Sequence, residues 1–503
     1  MMIVGDWVYK RAKSYPERPF VKQANIQYNN KQFNERVNKT AHALMDLGLR
    51  QGDRASVLMV NSSEFIEVFF ACAKTGIIMV PLNINLALPE LNFILNDCQP
   101  QVFIYSSGLR DKVNELPFKE IGIKHLLTDR GDSSSLQEVI AACPVSEPPT
   151  EKELLPDSPL LIMYTSGTAG DPKGAVLTHM NFLFGAIHSL IGYNIGYTCK
   201  SLVVAPLYHI GALAASVTPV IYAGGSIIIQ SFDNPSKIVQ IIETEKVNYM
   251  FAVPVMFELM AQSSAWQKAD FSHIHCFISG GAPIPVPLLK KYQEEKGIRF
   301  TQGYGMTETL RLTSLDLEDA IRKPGSVGKE EFHTELRIVD DHSADVAVGE
   351  TGEVVVKGPT VFKEYWNKPA ETRRSFKEGW FYTGDLARRD DEGYVYIVGR
   401  KIDLIISSGK NIYPQEVERA ILSYPKIKTV AVVGMPDPKR GEVVAAFIVL
   451  KPDETIGEGD LFHFLQGKIA TYKIPKHAIL VNKLPQNGAG KILKRELRKQ
   501  LGS

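Results

Sequence analysis

Several features that restrict the function of a protein are scarce in this sequence. Only five of its 503 residues are cysteines, an odd number, and no pair has the spacing of a metal site or a redox pair. We therefore expect free thiols in a reducing cytoplasm and no structural zinc. Basic and acidic residues number 57 and 56, so no excess of basic charge indicates a nucleic-acid partner.

Targeting and membrane segments are also lacking. Residues 1–19 have no charged stretch followed by an apolar run, so they do not resemble a signal peptide. Residues 202–229 contain no Lys, Arg, Asp or Glu, but they include prolines, a histidine and adjacent glycines. We interpret this stretch as a buried strand, a helix and a second buried strand, not as a transmembrane helix.

Helix and strand patterns alternate along the first 300 residues. Residues 55–60, 77–81 and 102–105 are predicted strands, separated by predicted helices at 65–74 and 89–97. Such alternation is typical of βαβ units and a largely parallel sheet. Further predicted strands are 160–164, 202–205, 226–230, 248–253, 276–279 and 299–303.

Short strands and turns dominate from about residue 335, with a hairpin turn signal at 391–393. A smaller α+β unit follows Gly399 and ends in a basic helix. We therefore predict an α/β protein. Its large N-terminal domain, residues 1–399, has layered, mainly parallel sheets with helices and a small β-rich part. Residues 400–503 form a small, mobile α+β C-terminal domain.

One glycine-rich segment, residues 164–174, has the sequence YTSGTAGDPKG. Its glycines allow the backbone to approach an anion, and its hydroxyls and lysine add donors, which suits a polyphosphate. The side chains concerned are Thr165, Ser166, Thr168 and Lys173, with Gly167, Gly170 and Gly174 between them. The common P-loop requires Gly-Lys-Ser/Thr in succession, which is not found here. Taken alone, a glycine-rich surface turn explains the segment equally well.

Three later segments carry further polar groups. In QGYGMTET, residues 302–309, Tyr304 can stack on a base and Glu308 can hold a divalent cation. The alternative for Glu308 is a charge at a helix N-terminus. In FYTGDL, residues 381–386, Asp385 can accept from two vicinal hydroxyls or can be a structural turn residue. SGGAP, residues 279–283, is on its own a plain turn.

Together these motifs resemble those of the adenylate-forming superfamily, which includes acyl-CoA synthetases, aryl-CoA ligases, peptide-synthetase adenylation domains and firefly luciferase. They occur in the family's order over nearly the whole chain, and the sequence is most similar to bacterial fatty acyl-CoA ligases. The resemblance implies an acid–thiol ligase. ATP and an acid would give acyl-AMP and pyrophosphate, and coenzyme A would then give acyl-CoA and AMP. The cofactors implied are ATP, Mg²⁺ and coenzyme A as co-substrate.

The resemblance also assigns roles to residues. Phosphate contacts are implied for Thr165, Ser166, Gly167, Thr168, Lys173 and Thr307, and a magnesium contact for Glu308. Nucleotide contacts are implied for Gly281, Ala282, Pro283, Tyr304, Asp385 and Arg400. Gly409 and Lys410 belong to the loop that approaches during thioester formation. Lys491 matches the adenylation lysine, and His209 the acyl-pocket position. The alternatives are a solvated lysine at 491 and a hydrogen-bonded core histidine at 209.

Two positions depart from the family pattern. Ala169 stands where a second threonine is usual, so one hydroxyl contact is lost, worth about 1 kcal/mol. Ile402 stands where Asp or Lys is common, two residues after Arg400. The family places there the pivot on which the small domain turns between the two half-reactions, and a β-branched residue is stiffer. We expect the rotation to persist with altered rates.

The acid is harder to assign. The pocket segments offer apolar side chains, which favour a medium- or long-chain fatty acid first and an aromatic acid second. These side chains are Ile210, Ala212, Leu213, Val253, Met256 and Leu312. Arg311 is the exception. It is either part of a surface ion pair or a partner for a second carboxylate or another polar tail group on the substrate.

Three other classes share some of these motifs. They are an adenylation enzyme that loads a carrier protein, a luciferase-like oxygenase, and a nucleotide-binding regulator without activity. The presence of Lys491, Glu308 and Asp385 together argues against the last. We expect small-molecule partners only, no nucleic acid and no transmembrane segment. The oligomeric state, a homodimer included, stays open.

Overall fold

The structure is a computed structural model that describes residues 2–131, 135–149, 152–165, 172–457, 459–486 and 492–501. Short 3₁₀ turns and one π-helix, Ala212–Val217, accompany the α-helices. The α-helices are α1 Asp6–Ser14, α2 Asn30–Asp46, α3 Ser63–Thr75, α4 Leu88–Cys98, α5 Arg110–Asn114, α6 Phe118–Ile121, α7 Leu136–Ala141, α8 His179–Tyr193, α9 Thr218–Ala223, α10 Pro235–Thr244, α11 Pro254–Gln262, α12 Val286–Lys296, α13 Asp319–Arg322, α14 Pro369–Ser375, α15 Pro414–Leu422, α16 Asp460–Leu465 and α17 Lys494–Leu501.

The strands alternate with these helices in the first part of the chain and follow one another in the later part. They are β1 Pro19–Gln23, β2 Ile26–Asn29, β3 Arg54–Leu58, β4 Ile78–Pro81, β5 Val102–Tyr105, β6 His125–Thr128, β7 Pro159–Thr165, β8 Lys173–Thr178, β9 Lys200–Val203, β10 Ser226–Ile229, β11 Tyr249–Ala252, β12 Cys276–Ser279, β13 Phe300–Met306, β14 Leu310–Leu315, β15 Lys329–Glu330, β16 Glu335–Val339, β17 Thr351–Lys357, β18 Glu364–Tyr365, β19 Phe376–Lys377, β20 Trp380–Arg389, β21 Val395–Arg400, β22 Ile405–Ser407, β23 Lys410–Ile412, β24 Ile427–Asp437, β25 Gly441–Leu450 and β26 His477–Leu480.

The chain divides into two compact units. Unit 1 comprises Met1–Leu336 and Val356–Phe381, and unit 2 comprises Arg337–Val355 and Tyr382–Ser503. The predicted large α/β part with parallel sheets and the smaller, β-rich C-terminal part are confirmed. The division by contacts does not coincide with residue 400, and a pivot close to Arg400 stays a prediction.

Unit 1 is built on two sheets that are parallel at their centres. The nine-stranded sheet has the order β15-β14-β13-β12-β11-β9-β10-β1-β2, and its strands from β13 to β1 run parallel. The seven-stranded sheet has the order β18-β8-β7-β4-β3-β5-β6, and it is antiparallel only at β8 and β18. Apolar runs buried on both faces are typical of such sheets, and β4, β5 and β12 are buried throughout.

One face of the nine-stranded sheet packs on α10, α11 and α12 around a large aromatic core. The rings of Phe257, Trp266, Phe277, Tyr292 and Phe300 are almost fully buried there. They meet mainly edge to face; the Phe257 and Phe300 centroids, for example, are 4.8 Å apart at 90°. This core leaves the opposite face of the same strands for α8 and the π-helix.

Local signals explain several helix boundaries. The Ser62 side chain accepts from the Phe65 amide at the start of α3, and Gly76, at φ +72°, ends that helix. Thr178 and Asn181 form a capping box at the start of α8, where the sequence predicts a helix to begin. Residues 202–229 form a strand, the π-helix, α9 and β10, so the interpretation as buried strand, helix and strand is confirmed.

Unit 2 contains a sheet of order β23-β22-β25-β24, with β26 parallel to β25. Helix α15 packs on β24 over a cluster that includes Val417, Ile421 and Val432. Strands β16, β17 and β20 form another sheet in that order, with β21 paired to β20. The predicted hairpin turn at 391–393 joins β20 to β21, and Gly393 has φ +87°. In the described part of the chain, no helix is both long and apolar enough to span a bilayer.

Candidate active site

The glycine-rich segment joins two antiparallel strands. Thr165 ends β7 and Lys173 begins β8, and the two residues are register partners. Ser166, Gly167 and Thr168 lie outside the described residues. The sequence predicts a helix that begins near Thr178, and α8 begins there; it does not predict the strand at residues 173–178 that precedes this helix. This run is mostly apolar and rich in strand-favouring residues, and it completes a hairpin with β7 before α8 begins.

The end of β7 is held in place by residues outside the motif. The Tyr164 hydroxyl donates to an Asp97 carboxylate oxygen, and Trp366 Nε1 donates 3.3 Å to the Asp97 carbonyl. Burial, and then the negative groups around it, raise the pKa of Tyr164 far above its usual value, so the phenol remains a neutral donor. The end of β7 is therefore held by α4 and by the segment around β18.

Glu308 and Lys173 come from different motifs, and Tyr365 links them. The Tyr365 hydroxyl donates a 3.0 Å hydrogen bond to Glu308 Oε1. The Lys173 ammonium lies 5.2 Å from the centroid of the same ring, which is a cation–π distance. Tyr365 pairs with Ala175 in β18–β8, and the Phe362 amide donates 2.7 Å to the Glu308 carbonyl. Sequence reasoning missed Tyr365, because 57 residues separate it from Glu308.

Glu308 sits at the tip of a hairpin, so the alternative of a helix N-terminus is wrong. Strands β13 and β14 pair through Met306 and Leu310, with Thr307, Glu308 and Thr309 as the loop. Leu310 has φ +54°, a left-handed conformation that is strained for a side chain of this size. Position 305, on the opposite strand, must be glycine, because a Cβ atom there would lie 1.7 Å from the Leu310 carbonyl oxygen.

The same hairpin and the preceding strand carry the residues assigned to adenine. Tyr304 lies on β13, and its amide donates 3.3 Å to Thr313 Oγ1 on β14. Gly281, Ala282 and Pro283 form an exposed turn directly after β12, with Gly281 at φ +77°. Because β12 and β13 are adjacent and parallel, their carboxyl ends lie at one edge of the sheet, which is where ligands of such sheets bind.

His209 lies in a loop that leads into the π-helix. Asn61 holds this loop by donating 2.8 Å to the Ala205 carbonyl and accepting 2.8 Å from the Leu207 amide. The buried His209 Nε2 has no hydrogen-bond partner among the described residues, and burial lowers the pKa of this imidazole. The ring therefore does not behave as a hydrogen-bonded core histidine at Nε2. A π-helix often marks a functional site.

Arg311 lies in a narrow space between α8 and the β13–β14 hairpin, which we call the α8 slot. The Arg311 side chain is surrounded there by His188, Gly192, Tyr193, Gly303 and Glu331. The guanidinium carbon stands 3.7 Å from the Tyr193 ring centroid, and Nε lies 2.7 Å from Glu331 Oε1. The predicted ion pair therefore exists, but it is not on the surface, since the two side chains are 12% and 3% exposed.

Two further residues that the motifs assign to nucleotide contact are neighbours in unit 2. Asp385 on β20 and Arg400 on β21 are register partners, and Arg400 Nε lies 2.9 Å from Asp385 Oδ1. The Asp385 amide donates 3.1 Å to Thr383 Oγ1, and the Thr383 hydroxyl donates 2.8 Å to the Val354 carbonyl. The Thr-Gly-Asp segment thus lies within a strand and its ladder, and the carboxylate is nearly buried beside a cation.

Gly409 lies at the tip of a two-residue hairpin. Ser408 and Gly409 have φ of +49° and +76° between the paired residues Ser407 and Lys410, which is the pattern of a type I′ turn. The tip is exposed, and the Lys410 ammonium lies 4.5 Å from the Tyr472 ring centroid. This geometry presents the backbone of the turn to solvent.

The predicted pivot lies on a short turn in unit 2. Ile402 is half-exposed, at 48%, on the 3₁₀ turn Lys401–Asp403. Arg498 on α17 forms a 2.8 Å ion pair with Asp403. Lys491 lies outside the described residues, so its role stays a prediction from the motif.

The residues present fit a magnesium ion that is shared with a nucleotide. Mg²⁺ in such sites is usually held by one or two carboxylates, phosphates and waters, not by a cage of protein ligands. Glu308 supplies one carboxylate, oriented by Tyr365. Within the described ranges, no group of three or more His, Cys, Asp or Glu side chains is arranged to hold a metal ion.

Comparisons with known proteins agree with this arrangement. The profile of the AMP-binding enzyme family matches residues 8–366, and that of the AMP-binding enzyme C-terminal domain matches residues 416–491. The chain is 36% identical to a feruloyl-CoA synthase of an Amycolatopsis species over 500 residues, covering 99% of both chains. It is 38% identical to the long-chain-fatty-acid–CoA ligase FadD13 of Mycobacterium tuberculosis over 470 residues, covering 93% of this chain and 92% of that one.

Solved structures give the same result. ATP-bound MatB from Rhodopseudomonas palustris superposes with a TM-score of 0.91 at 30% identity, covering 99% of each chain. O-succinylbenzoate CoA synthetase from Bacillus subtilis, in complex with ATP and magnesium, gives 0.88 at 31% identity, again over 99% of each chain. The chain therefore belongs to the AMP-binding enzyme family, as an AMP-forming acid–CoA ligase that uses ATP, Mg²⁺ and coenzyme A.

Proposed function

We propose that this ligase activates an aromatic carboxylic acid, and that the acid lies between His209 and the α8 slot. The observation that carries this proposal is the stacking in the slot. The Arg311 guanidinium lies over the Tyr193 ring, 3.7 Å from its centroid, and the imidazoles of His188 and His333 stack nearby, 5.4 Å apart at 19°. A planar ring extends such a stack. An alkyl tail would instead place hydrocarbon against the buried charges of Arg311 and Glu331, without compensation.

The proposed position of the acid is based on the contacts that connect the His209 loop to the α8 slot. The π-helix after His209 packs on α8, β9 and β11, and α8 packs on β14. Phe251 on β11 lies against Gly211 and Gly280, where Cβ atoms would stand 2.9 and 2.7 Å from its ring. We therefore assign the carboxylate end to the loop of His209 and the distal end to the α8 slot.

In the first half-reaction a carboxylate oxygen of the acid attacks the α-phosphorus, and the bond to the β-phosphate oxygen breaks. We propose that Thr165, Ser166, Gly167, Thr168, Lys173 and Thr307 hold the phosphates, while Glu308 holds Mg²⁺. Bound Mg²⁺ supplies positive charge to the phosphates. Lys491 neutralises charge between the two reacting anions. Asp385 accepts from the ribose hydroxyls, Arg400 contacts the nucleotide, and Gly281, Ala282, Pro283 and Tyr304 contact adenine.

In the second half-reaction the coenzyme A sulfur attacks the carbonyl carbon, and the carbonyl–phosphate oxygen bond breaks to release AMP. No protein nucleophile takes part. The exposed turn at Gly409 and Lys410 is proposed to contact the pantetheine arm. Rotation about the segment near Arg400 would exchange the residues used in the two steps. A cytoplasmic location and a homodimer also stay predictions.

A fatty acid is the second candidate, since the relative that is 38% identical is named for long-chain fatty acids. Pyrophosphate release should be measured with a panel of aromatic, fatty and dicarboxylic acids, with and without coenzyme A. We expect the aromatic acids to give the highest kcat/KM, with thioester formed only when coenzyme A is present. Preference for a fatty acid would reject the aromatic proposal. Release without thioester would instead favour a carrier-protein acceptor.

A further inference from the structure

Two glycines border the α8 slot, and two more lie on the same elements beside Leu310. Gly185 and Gly192 are seven residues apart on α8, so they lie on one stripe of the helix together with His188. Gly303 and Gly305 alternate with Tyr304 on β13, so they face the same side of the sheet. Small residues alone do not make a site, and the side chains between these two elements decide what the slot can hold.

Arg311 fills the space that two of these glycines leave. A Cβ atom at Gly192 would lie 3.0 Å from Arg311 Nη2, and one at Gly303 would lie 3.1 Å from Arg311 Cδ and 2.8 Å from the Tyr193 hydroxyl. All three distances are shorter than side chains normally tolerate. The glycines therefore admit the guanidinium to the slot, and Leu310 at φ +54° begins the strand that carries it.

The slot contains buried polar atoms that lack hydrogen-bond partners in the described part of the chain. His188 is fully buried. The Arg311 backbone lies against its ring, and neither ring nitrogen makes a hydrogen bond of acceptable geometry within the described residues. Arg311 touches Glu331 as an ion pair, yet none of its three guanidinium nitrogens has a hydrogen bond of acceptable geometry. Buried polar groups are almost always paired in native proteins. The His188 and Arg311 nitrogens thus indicate a polar ligand that completes them.

Charge balance decides what kind of polar group fits. Glu331 already neutralises Arg311, and both lie in the slot. Burial, then the neighbouring Arg311 and His333, lower the pKa of His188 to about 4, so this imidazole is uncharged near neutral pH. A second carboxylate on the substrate would add an uncompensated buried charge, which is strongly unfavourable. An uncharged hydroxyl, carbonyl or ether oxygen adds none.

We infer that Arg311, held by Glu331, and His188 form a subsite for an uncharged hydrogen-bonding group at the end of the acid remote from its carboxylate. A phenolic hydroxyl on an aromatic acid is the simplest such group. The Arg311 nitrogens donate to its oxygen, and a neutral His188 nitrogen accepts its proton in a hydrogen bond. The inference rests on the proposed position of the acid in the α8 slot. Of the two substrate groups that the sequence offers for Arg311, it selects an uncharged polar group over a second carboxylate.

The test compares matched acids on the full-length enzyme. Benzoic, phenylacetic and cinnamic acids are each paired with their hydroxylated forms, and kcat/KM is measured by pyrophosphate release. Hydrogen bonds to a charged donor predict that the best hydroxylated acid exceeds its parent by roughly 10- to 100-fold. Arg311→Met should lower kcat/KM much more for the hydroxylated acid than for its parent, and so remove most of this ratio.

Two further variants keep the outcome decisive. Arg36→Met removes another Arg–Glu pair of unit 1, Arg36 with Glu67 at 2.7 Å. It controls for the loss of folding stability that follows when such a pair is broken. It should leave the ratio of kcat/KM between hydroxylated and parent acids unchanged. His188→Leu removes the proposed hydrogen-bond acceptor and serves if Arg311→Met fails to fold; it should also lower the ratio.

Three results would overturn the inference. They are a ratio near one in the wild type, an equal loss on both acids in the Arg311 and His188 variants, and a 4-carboxy acid preferred to the hydroxylated one. Each of these leaves the ligase active on aromatic acids, so the inference alone is rejected. Activity on no aromatic acid would reject the proposed function and the inference together.

Discussion

The hydroxyl of Tyr365 donates a 3.0 Å hydrogen bond to Glu308 Oε1, and the Tyr365 ring faces the Lys173 ammonium at 5.2 Å. A carboxylate proposed for magnesium and a cation proposed for phosphate thus share one positioning side chain. Glu308 is only 5% exposed, so its orientation depends on such protein contacts rather than on water.

Removing only the Tyr365 hydroxyl tests this relationship. In Tyr365→Phe the ring stays beside Lys173, but the carboxylate loses a donor worth about 1 kcal/mol. We expect the Mg²⁺ concentration for half-maximal pyrophosphate release to rise roughly fivefold. Tyr292→Phe is the matched control, since its hydroxyl donates 2.8 Å to the Phe257 carbonyl in the aromatic core. An unchanged Mg²⁺ dependence in Tyr365→Phe would show that the hydroxyl does not position Glu308.

The Asp385–Arg400 pair allows a test that uses the nucleotide itself. Asp385→Asn keeps the shape but weakens acceptance from the ribose, so KM for ATP should rise by about tenfold. With 2′-deoxy- or 3′-deoxy-ATP in place of ATP, KM should rise by a similar factor in the wild type and by much less in the variant. The substitution and the missing hydroxyl remove the same interaction, so their effects do not add. If the change from ATP to a deoxy nucleotide raised KM by the same factor in the wild type and in Asp385→Asn, the ribose assignment would be contradicted.

The turn at Gly409 predicts an effect on one half-reaction only. Gly409 has φ +76°, and a Cβ atom there would meet no described atom within 4 Å, so Gly409→Ala costs about 1 kcal/mol of local strain without a clash. Gly467 is a matched control in the same unit, with φ +78° and equally open surroundings. We expect Gly409→Ala to slow thioester formation from acyl-AMP while adenylation stays unchanged, and Gly467→Ala to spare both. Equal rates in the two variants would remove Gly409 from the coenzyme A path.

His179 predicts a dependence of stability on pH. Its Nδ1 accepts 3.2 Å from the Val4 amide, and burial lowers the pKa of the imidazole to about 4. Because the unfolded chain binds a proton near pH 6.5 and the folded one does not, the free energy of unfolding falls as pH drops from about 6.5 towards 4. At pH 5 this histidine alone should cost about 2 kcal/mol.

Urea unfolding followed by tryptophan fluorescence measures this effect, since Trp7, Trp266, Trp366 and Trp380 all lie in unit 1. His179→Gln should be less stable than the wild type at pH 7.5 but should lose less between pH 7.5 and 5. The exposed His275, changed to Gln, serves as control. A parallel loss in the wild type and His179→Gln would mean that His179 does not set the acid sensitivity.

Parts of this structure were predictable and parts were not, for physical reasons. Strands such as Val102–Tyr105 and Cys276–Ser279 match their predicted bounds, because continuous apolar runs between turn residues have few other solutions. Residues 173–178 were missed, since a short apolar run before a cap can continue a loop as well as form a strand. Its antiparallel partner β7 decides the outcome, and single-sequence periodicity does not contain that pairing.

The candidate site shows the same limit. Motifs predicted Glu308, Asp385 and Arg400, because each carries a recognisable local pattern. Tyr365 has no such pattern, since its role depends on a contact 57 residues away. Arg311 was predicted in an ion pair, but its burial follows from the glycines at 192 and 303, which are distant in sequence and meet only in the fold. Lys491 and the loop at Ser166 rest on the motifs alone.

A competition experiment tests the central claim most directly. The enzyme is given ATP, Mg²⁺, coenzyme A and equal concentrations of 4-hydroxycinnamic acid and decanoic acid, and the two acyl-CoA products are quantified by mass. Their initial ratio equals the ratio of kcat/KM, so it measures discrimination without separate kinetic constants. We expect the aromatic thioester to exceed the fatty one by more than about tenfold, in line with one or more polar contacts in the α8 slot. A product mixture dominated by decanoyl-CoA would contradict the assignment of an aromatic acid to this ligase.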